Sequence, residues 1–83
     1  MTTGHKDIES TIVRLLEAYN REGVPLSADT NIAADLNIDS ADVLNFVMEV
    51  EDAFDIDISV NELADVHTIG QLTELVAERL NAS

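Results

Sequence analysis

Apolar side chains recur at helical spacing in three separate segments of this 83-residue chain, and this pattern restricts its possible folds more than any other feature. Apolar residues three and four positions apart fall on one face of an α-helix, whereas a half-buried strand needs strict alternation. The three segments contribute Ile8, Ile12, Leu15, Leu16 and Tyr19; Val43, Phe46, Val47, Val50 and Phe54; and Ile69, Leu72, Leu75, Val76 and Leu80. The one alternating stretch, 56–58, is too short for a sheet. The sequence therefore predicts an all-α fold.

Helix breakers and capping residues set the predicted ends of the first two long helices. The first is expected over 7–20, because Gly23 and Pro25 follow it. The second is expected over 40–54, with Asp39 as the N-cap whose carboxylate accepts from the first turn.

The last part of the chain adds a short helix and a third long one. A brief helix is expected over 60–65. The final helix is expected to begin at Thr68, which with Gln71 three residues later matches a capping box. The predicted architecture is a small four-helix bundle made of three longer helices and one short helix.

The connection over 21–39 is unusually long for a compact domain. It contains turn-forming residues, but its apolar side chains are too many for a free linker. These are Val24, Leu26, Ile32, Leu36 and Ile38. An ordered loop that these side chains hold against the core is therefore expected.

Length and charge bound the function. The chain is long enough for one domain over 1–83, with a flexible tail expected over 1–6 and a frayed end over 81–83. Seventeen acidic and four basic residues give a net charge of −13, which repels nucleic acid and attracts basic protein surfaces. Cysteine is absent, and no apolar run approaches the roughly 18 residues of a membrane span. A cytoplasmic monomer without membrane span or nucleic-acid partner is expected.

The segment Asp-Leu-Asn-Ile-Asp-Ser-Ala-Asp over 35–42 places Ser40 where the long connection meets a helix N-terminus. The unpaired N–H groups of a first helical turn favour an anion, so a phosphodiester on this hydroxyl would be stabilised there. The alternative is that Ser40 is only a capping or first-turn residue.

Two large apolar residues follow Ser40 on one helical face. Leu44 and Met48 lie four and eight positions after it, away from the predicted core stripe. The acidic residues around them are Asp39, Asp42, Glu49, Glu51, Asp52 and Asp55. An apolar strip with a charged rim is typical of a docking surface, although Leu44 and Met48 could instead pack under the long connection.

The segment over 35–54, DLNIDSADVLNFVMEVEDAF, resembles the signature of acyl carrier proteins and peptidyl carrier domains. That signature reads Asp-Leu-Gly-x-Asp-Ser-Leu, followed by an acidic helix ending in Glu-x-x-Phe, and the similarity extends over nearly the whole chain. The resemblance implies a non-enzymatic carrier. Ser40, flanked by Asp39, would receive 4′-phosphopantetheine from a transferase that uses coenzyme A, and the cargo would be held as a thioester.

The resemblance also implies two groups of binding residues. The acidic helix would be presented to basic patches on acyl-loading and acyl-transfer enzymes through Asp42, Leu44, Met48, Glu49, Glu51, Asp52 and Asp55. A lipid chain could enter between the helices, with Val43, Phe46, Val47, Val50, Leu63 and Val66 as its walls or, alternatively, as plain core. The cargo would belong to fatty acid, lipid or polyketide biosynthesis.

Two positions depart from the signature. Asn37 replaces the usual Gly, which asparagine can do in a left-handed backbone conformation. Ala41 replaces the usual Leu after the serine, which removes an apolar contact from the docking strip. Together they favour a specialised carrier over a housekeeping one.

Other functions remain to be weighed. Asp55, Asp57 and Ser59 resemble the start of a calcium-binding EF-hand loop, but Val60 and Val66 occupy the positions that need Gly and Glu. His5 and His67 are too far apart in sequence to indicate a metal site, so none is expected. The open alternatives are an acidic adaptor without a prosthetic group, and an aminoacyl or peptidyl carrier of the same fold.

Overall fold

The computed structural model describes residues 4–81, and five α-helices account for most of them. They are α1 (His5–Glu17), α2 (Ile32–Leu36), α3 (Ser40–Phe54), α4 (Val60–Ala64) and α5 (Ile69–Asn81). Within these residues there is no strand, only an isolated antiparallel bridge between Asn31 and Thr68. The predicted all-α bundle with three long helices is confirmed, and one short helix more than predicted is present.

The core forms where the apolar faces of the three long helices meet. Helix α1 packs mainly on α5 and also touches α3. The fully buried residues are Ile8, Ile12 and Leu16 from α1; Phe46 and Val50 from α3; and Ile69, Leu72 and Val76 from α5. Helical spacing alone placed all of these on inward faces.

Helix α1 is shifted toward the N-terminus relative to the predicted 7–20. It begins at His5, inside the segment expected to be a tail, because Gly4 serves as its N-cap and the Ile8 N–H bonds to the Gly4 carbonyl at 3.1 Å. It ends at Glu17 because the Asn20 amide pairs with the backbone of Val24 in both directions, at 2.8 and 3.0 Å. These side chain–backbone bonds replace further helical turns. Residues 1–3 and 82–83 lie outside the described range.

The connection over 21–39, which was predicted to be an ordered loop, contains a short helix. Helix α2 forms within it because the Asn31 side chain caps the Ala34 N–H at 2.9 Å. Asn37 ends α2 in the left-handed conformation at φ 54°, ψ 46°, as its replacement of Gly required. Ile32 and Leu36 of α2 are buried in the core. Five residues are too few for a periodic signal, which is why the sequence pattern did not reveal this helix.

Backbone bonds join the long connection to the start of α5. The Ile32 N–H bonds to the His67 carbonyl at 2.9 Å, the Ile69 N–H to Thr30 at 3.1 Å, and the Gly70 N–H to Ala28 at 2.9 Å. A Cβ added at Gly70 would lie only 3.0 Å from the Ala28 carbonyl oxygen, so glycine permits this close approach. The connection is therefore ordered, as predicted.

The left-handed backbone at Asn37 gives a stability prediction. We expect Asn37→Ala to lower the free energy of unfolding by roughly 1 kcal/mol or less, since both residues carry a Cβ but only the short polar side chain of asparagine can offset the cost of the left-handed conformation by local hydrogen bonding. Asn37→Gly should leave stability unchanged or raised, and Asn45→Ala, at an exposed position of α3, serves as the helical control. Urea denaturation of the three variants measures this. An Asn37→Ala variant as stable as the parent would contradict the left-handed conformation of Asn37.

Helix α4 has no buried residue and is held by its ends. Ser59 and Glu62 form a reciprocal capping box, in which the Ser59 Oγ accepts from the Glu62 N–H and the Glu62 carboxylate accepts from the Ser59 N–H. Arg79 of α5 donates to the same carboxylate. The Arg79 guanidinium, and secondarily the Ser59 N–H, lower the pKa of Glu62 from 4.5 to about 2.

This lowered pKa predicts an acid-dependent contribution to stability. A carboxyl group with a folded-state pKa below its unfolded value stabilises the fold above the unfolded pKa, and loses that effect as pH falls through the folded one. We expect Glu62→Gln, which keeps a capping oxygen, to melt below the parent at neutral pH. The difference should shrink as pH falls from 4.5 toward about 2. Melting curves across this range test it, and a pH-independent difference would contradict it.

Candidate functional site

Ser40 is the first residue of α3, and its side chain is exposed. The preceding Asp39 is the N-cap, as predicted, and its carboxylate accepts from the Asp42 N–H at 2.9 Å. Ile38 packs against the core and donates its N–H to the Ala33 carbonyl at 3.2 Å. The serine hydroxyl is thus presented to solvent by a backbone that is fixed on both sides.

A cleft of about 480 Å³ opens beside Ser40. Of the six residues predicted as acyl-pocket walls, Val43, Phe46, Val47, Leu63 and Val66 line it. Val50 does not line it, because this residue points into the core, where it is fully buried. The lining is mainly apolar. Its polar members are Asn31 before α2, Asp39 and Ser40 at the start of α3, and His67 before α5.

Sequence reasoning missed about half of the cleft lining. The missed residues are Asn31, Ile32, Ala33, Ile38, His67 and Leu72, and Leu44 contributes from the predicted docking strip. The apolar character of Ile32 and Ile38 showed that the long connection packs on something. The sequence did not show that the long connection contacts the residues before α5, because this contact depends on backbone hydrogen bonds between the two segments.

Leu44 and Met48 project from α3 with 50% and 61% of their surfaces exposed. They do not lie buried under the long connection, which was the alternative. Among the flanking carboxylates, Asp39, Glu49, Asp52 and Asp55 are exposed, whereas Asp42 and Glu51 are half-buried. The predicted apolar strip with an acidic rim is thus present on the surface, and it begins at Ser40.

Several rim carboxylates have partners within the protein. The Tyr19 hydroxyl donates a hydrogen bond to the Glu49 carboxylate. This bond is the largest of the effects that raise the pKa of Tyr19. Glu51 accepts from the Ile58 N–H at 2.8 Å. The half-buried Asp42 lies 4.0 Å from the guanidinium of Arg21, which is exposed.

The residues around Ser40 fit a covalently attached phosphodiester arm. The hydroxyl is accessible, the N-terminus of a 15-residue helix supplies positive potential, and an apolar cleft opens next to it. The first turn of α3 would hold the phosphodiester, and the cleft residues would bound an attached chain.

The segment that resembles the start of a calcium loop has other roles in the structure. Asp55 ends α3 in the left-handed conformation at φ 55°, and Ser59 caps α4. His5 and His67 line different surface pockets. Across residues 4–81 no three His, Cys, Asp or Glu side chains are grouped so as to hold a metal ion.

Residues 7–76 match the model of a family described as the phosphopantetheine attachment site. An acyl carrier protein of Picosynechococcus is 34% identical over 58 residues, which cover 70% of this chain and 72% of that protein. The chain belongs to the acyl carrier protein family. Acyl carrier proteins use 4′-phosphopantetheine as their prosthetic group, and the cofactor predicted from the sequence is thereby confirmed.

Other relatives in the acyl carrier protein family extend the similarity. A probable acyl carrier protein of Caulobacter vibrioides is 43% identical over 53 residues, which cover 64% of this chain and 62% of that protein. An acyl carrier protein of Rickettsia typhi is 27% identical over 79 residues, 95% of this chain. None of the helices described over 4–81 is long and apolar enough to cross a bilayer.

Proposed function

We propose that this protein carries acyl intermediates as thioesters on a 4′-phosphopantetheine arm attached to Ser40, and presents them to biosynthetic enzymes. The observation that carries the proposal is the exposed Ser40 hydroxyl at the start of α3, at the edge of an apolar cleft. The prosthetic group supplies a terminal thiol that holds the cargo. The protein acts as a carrier and not as a catalyst.

The residues around the attachment point have separate tasks in this proposal. Asp39 fixes the start of α3 through its bond to the Asp42 N–H, so that the Ser40 hydroxyl stays exposed. The N–H groups of the first turn favour the negative charge of a phosphodiester, because the positive end of the helix dipole lies there. These groups hold and orient the arm.

The cleft gives the cargo a place away from water. Phe46 forms its buried floor, and Val43, Val47, Leu63 and Val66 form walls of an apolar space of about 480 Å³. Burial of apolar area stabilises a hydrocarbon chain there by roughly 25 cal/mol per Å². This supports cargo of the fatty acyl, lipid or polyketide type over a charged aminoacyl group.

The surface of α3 that starts at Ser40 is the proposed docking face. Leu44 and Met48 would contact apolar groups of a partner, and the rim of Asp42, Glu49, Glu51, Asp52 and Asp55 would meet its basic side chains. The phosphopantetheinyl transferase and the acyl-loading and acyl-transfer enzymes are the proposed partners of a cytoplasmic monomer. The small exposed Ala41 leaves the strip without an apolar side chain beside Ser40, which supports a narrower, specialised partner set.

Mass spectrometry tests the proposal. Incubation with coenzyme A and a broad-specificity phosphopantetheinyl transferase is expected to add one phosphopantetheine mass, located on the peptide containing Ser40. An adaptor without a prosthetic group predicts no mass gain. Offering the modified protein to an acyl-loading enzyme and to an amino-acid-activating enzyme then separates an acyl carrier from an aminoacyl or peptidyl carrier.

A further inference from the structure

The Tyr19 side chain contacts two parts of α3 that have separate tasks. Its hydroxyl donates a hydrogen bond to the carboxylate of Glu49, on the acidic rim. Its ring meets the ring of Phe46 edge-on, with centroids 6.0 Å apart and planes inclined at 74°. Phe46 is fully buried, so it holds the Tyr19 ring in place from beneath. The ring contact therefore fixes the position of the Tyr19 hydroxyl, and the Glu49 side chain must turn toward it to form the hydrogen bond.

We infer that Tyr19 is a positioning residue that draws Glu49 away from incoming partners, so that ionic contacts to a docked basic enzyme fall mainly on Asp52 and Asp55. This inference rests on the proposed function, and it divides the acidic rim into two classes. Carboxylates of the first class, called held, have bonding partners within the protein. Carboxylates of the second class, called available, have no such partner among the described residues and can contact a partner enzyme.

The held class has a structural partner for each carboxylate. Asp39 accepts from the Asp42 N–H at 2.9 Å, and Asp42 lies 4.0 Å from the Arg21 guanidinium. Glu49 is bound by Tyr19, and Glu51 accepts from the Ile58 N–H at 2.8 Å, which ties the end of α3 to the segment before α4. Each bond occupies one oxygen of the carboxylate and fixes the direction of the group, so a partner cation can reach only the positions that this orientation leaves open. Held carboxylates still contribute their full charge to the long-range field, because a hydrogen bond does not remove the charge.

The available class flanks the exposed Met48. Asp52 and Asp55 are exposed, and neither carboxylate has a hydrogen bond or ion pair to another described residue. Together with Met48, Ile56, Asp57 and the held Glu51 they line a groove of about 230 Å³. Lysine and arginine combine an apolar stem with a charged head, and Met48 and Ile56 offer apolar surface beside the two carboxylates. The occupant that fits this groove is a long cationic side chain of the transferase.

Matched variants test the inference, because Glu49→Gln and Asp52→Asn each remove one charge from the same helix. Binding to the phosphopantetheinyl transferase is measured without coenzyme A at physiological salt. Asp52→Asn is expected to weaken binding about two- to fivefold, the size of one exposed ion pair, and Glu49→Gln less than about 1.5-fold. At low salt both variants should slow association equally, since each removes one negative charge from the long-range electrostatic field of α3.

Tyr19→Phe keeps the ring against Phe46 and removes only the hydroxyl. In this background Glu49 is released, so Glu49→Gln should now weaken binding by the same two- to fivefold factor as Asp52→Asn. Unchanged melting temperature of Tyr19→Phe confirms that the fold is intact. Tyr19→Ala, which removes the ring as well, should lower it.

Equal effects of Glu49→Gln and Asp52→Asn in the parent protein would overturn the inference, whatever Tyr19→Phe does. An effect of Glu49→Gln that is the same with and without the Tyr19 hydroxyl would also overturn it. The proposed function would survive both results if Ser40 still gains its phosphopantetheine. Conversely, an unmodified Ser40 with the binding contrast intact would overturn the proposed function and leave the role of Tyr19 in place.

Discussion

Replacing Ser40 by alanine is expected to abolish the mass gain from coenzyme A and transferase completely. The phosphodiester needs a hydroxyl oxygen, and alanine has none. The fold should survive, because the Ser40 side chain is exposed and the N-cap bond of α3 comes from Asp39. The melting temperature should shift only slightly, as for most exposed substitutions within about 0.5 kcal/mol. Mass spectrometry of the treated variant and a thermal melt measure both effects.

Ser10→Ala is the matched control for this experiment, since Ser10 is an exposed serine of α1. It should be modified as fully as the parent. A Ser40→Ala protein that still gains the phosphopantetheine mass would place the attachment at another residue and would overturn the assignment of Ser40.

Phe46→Ala is expected to remove about 3–5 kcal/mol of stability, the cost of deleting a fully buried aromatic side chain and leaving a cavity. A domain of this length is stable by roughly 4–12 kcal/mol in total. The loss is therefore a large fraction of the total stability, and the urea midpoint of the variant should fall accordingly. The cost is large because Phe46 contacts Tyr19 on one side and forms the floor of the cleft on the other.

Leu44→Ala provides the comparison for Phe46→Ala on the same helix. Leu44 is half exposed, so its truncation leaves no closed cavity and should cost well under half as much. Circular dichroism during urea denaturation gives both values. Similar losses in the two variants would show that Phe46 is less embedded in the core than the structure places it.

The three long helices were predictable because each presents a broad apolar stripe that must be buried. Ile8, Ile12 and Leu16 on α1 illustrate this, since their spacing alone placed them in the core. The N-terminal ends of α3 and α5 were also predictable, because Asp39 and the pair Thr68 and Gln71 are local capping signals. Helical stripes and N-caps depend on residues that are close together in the sequence, so both can be predicted from it.

Short elements were harder, since their stability comes from caps and not from periodicity. Helix α2 lies between Asn31 and Asn37, and only the left-handed requirement at Asn37 was apparent from the sequence. The pattern of Ser59 followed by Glu62 was a visible capping box that marks the start of α4. The helix predicted over 60–65 is confirmed as α4, and only α2 was not predicted.

The site was predictable at its centre and not at its borders. Ser40 and the outward direction of Leu44 and Met48 follow from positions along one helix. The contact between Tyr19 and Glu49, 30 residues apart in sequence, depends on how α1 packs against α3. The same holds for His67, which reaches the cleft because its carbonyl bonds the Ile32 N–H at 2.9 Å.

Only Ile38 and Asp39 lie between the left-handed end of α2 and the first residue of α3. One of them packs against the core and the other caps the following helix, so neither leaves slack in the chain. A long flexible tether anchored at Ser40 would therefore swing from a pivot that these two contacts hold in place. The range of positions such a tether can sample would then be set by its own length, and an enzyme that docks on α3 would find that pivot at the same place on every encounter.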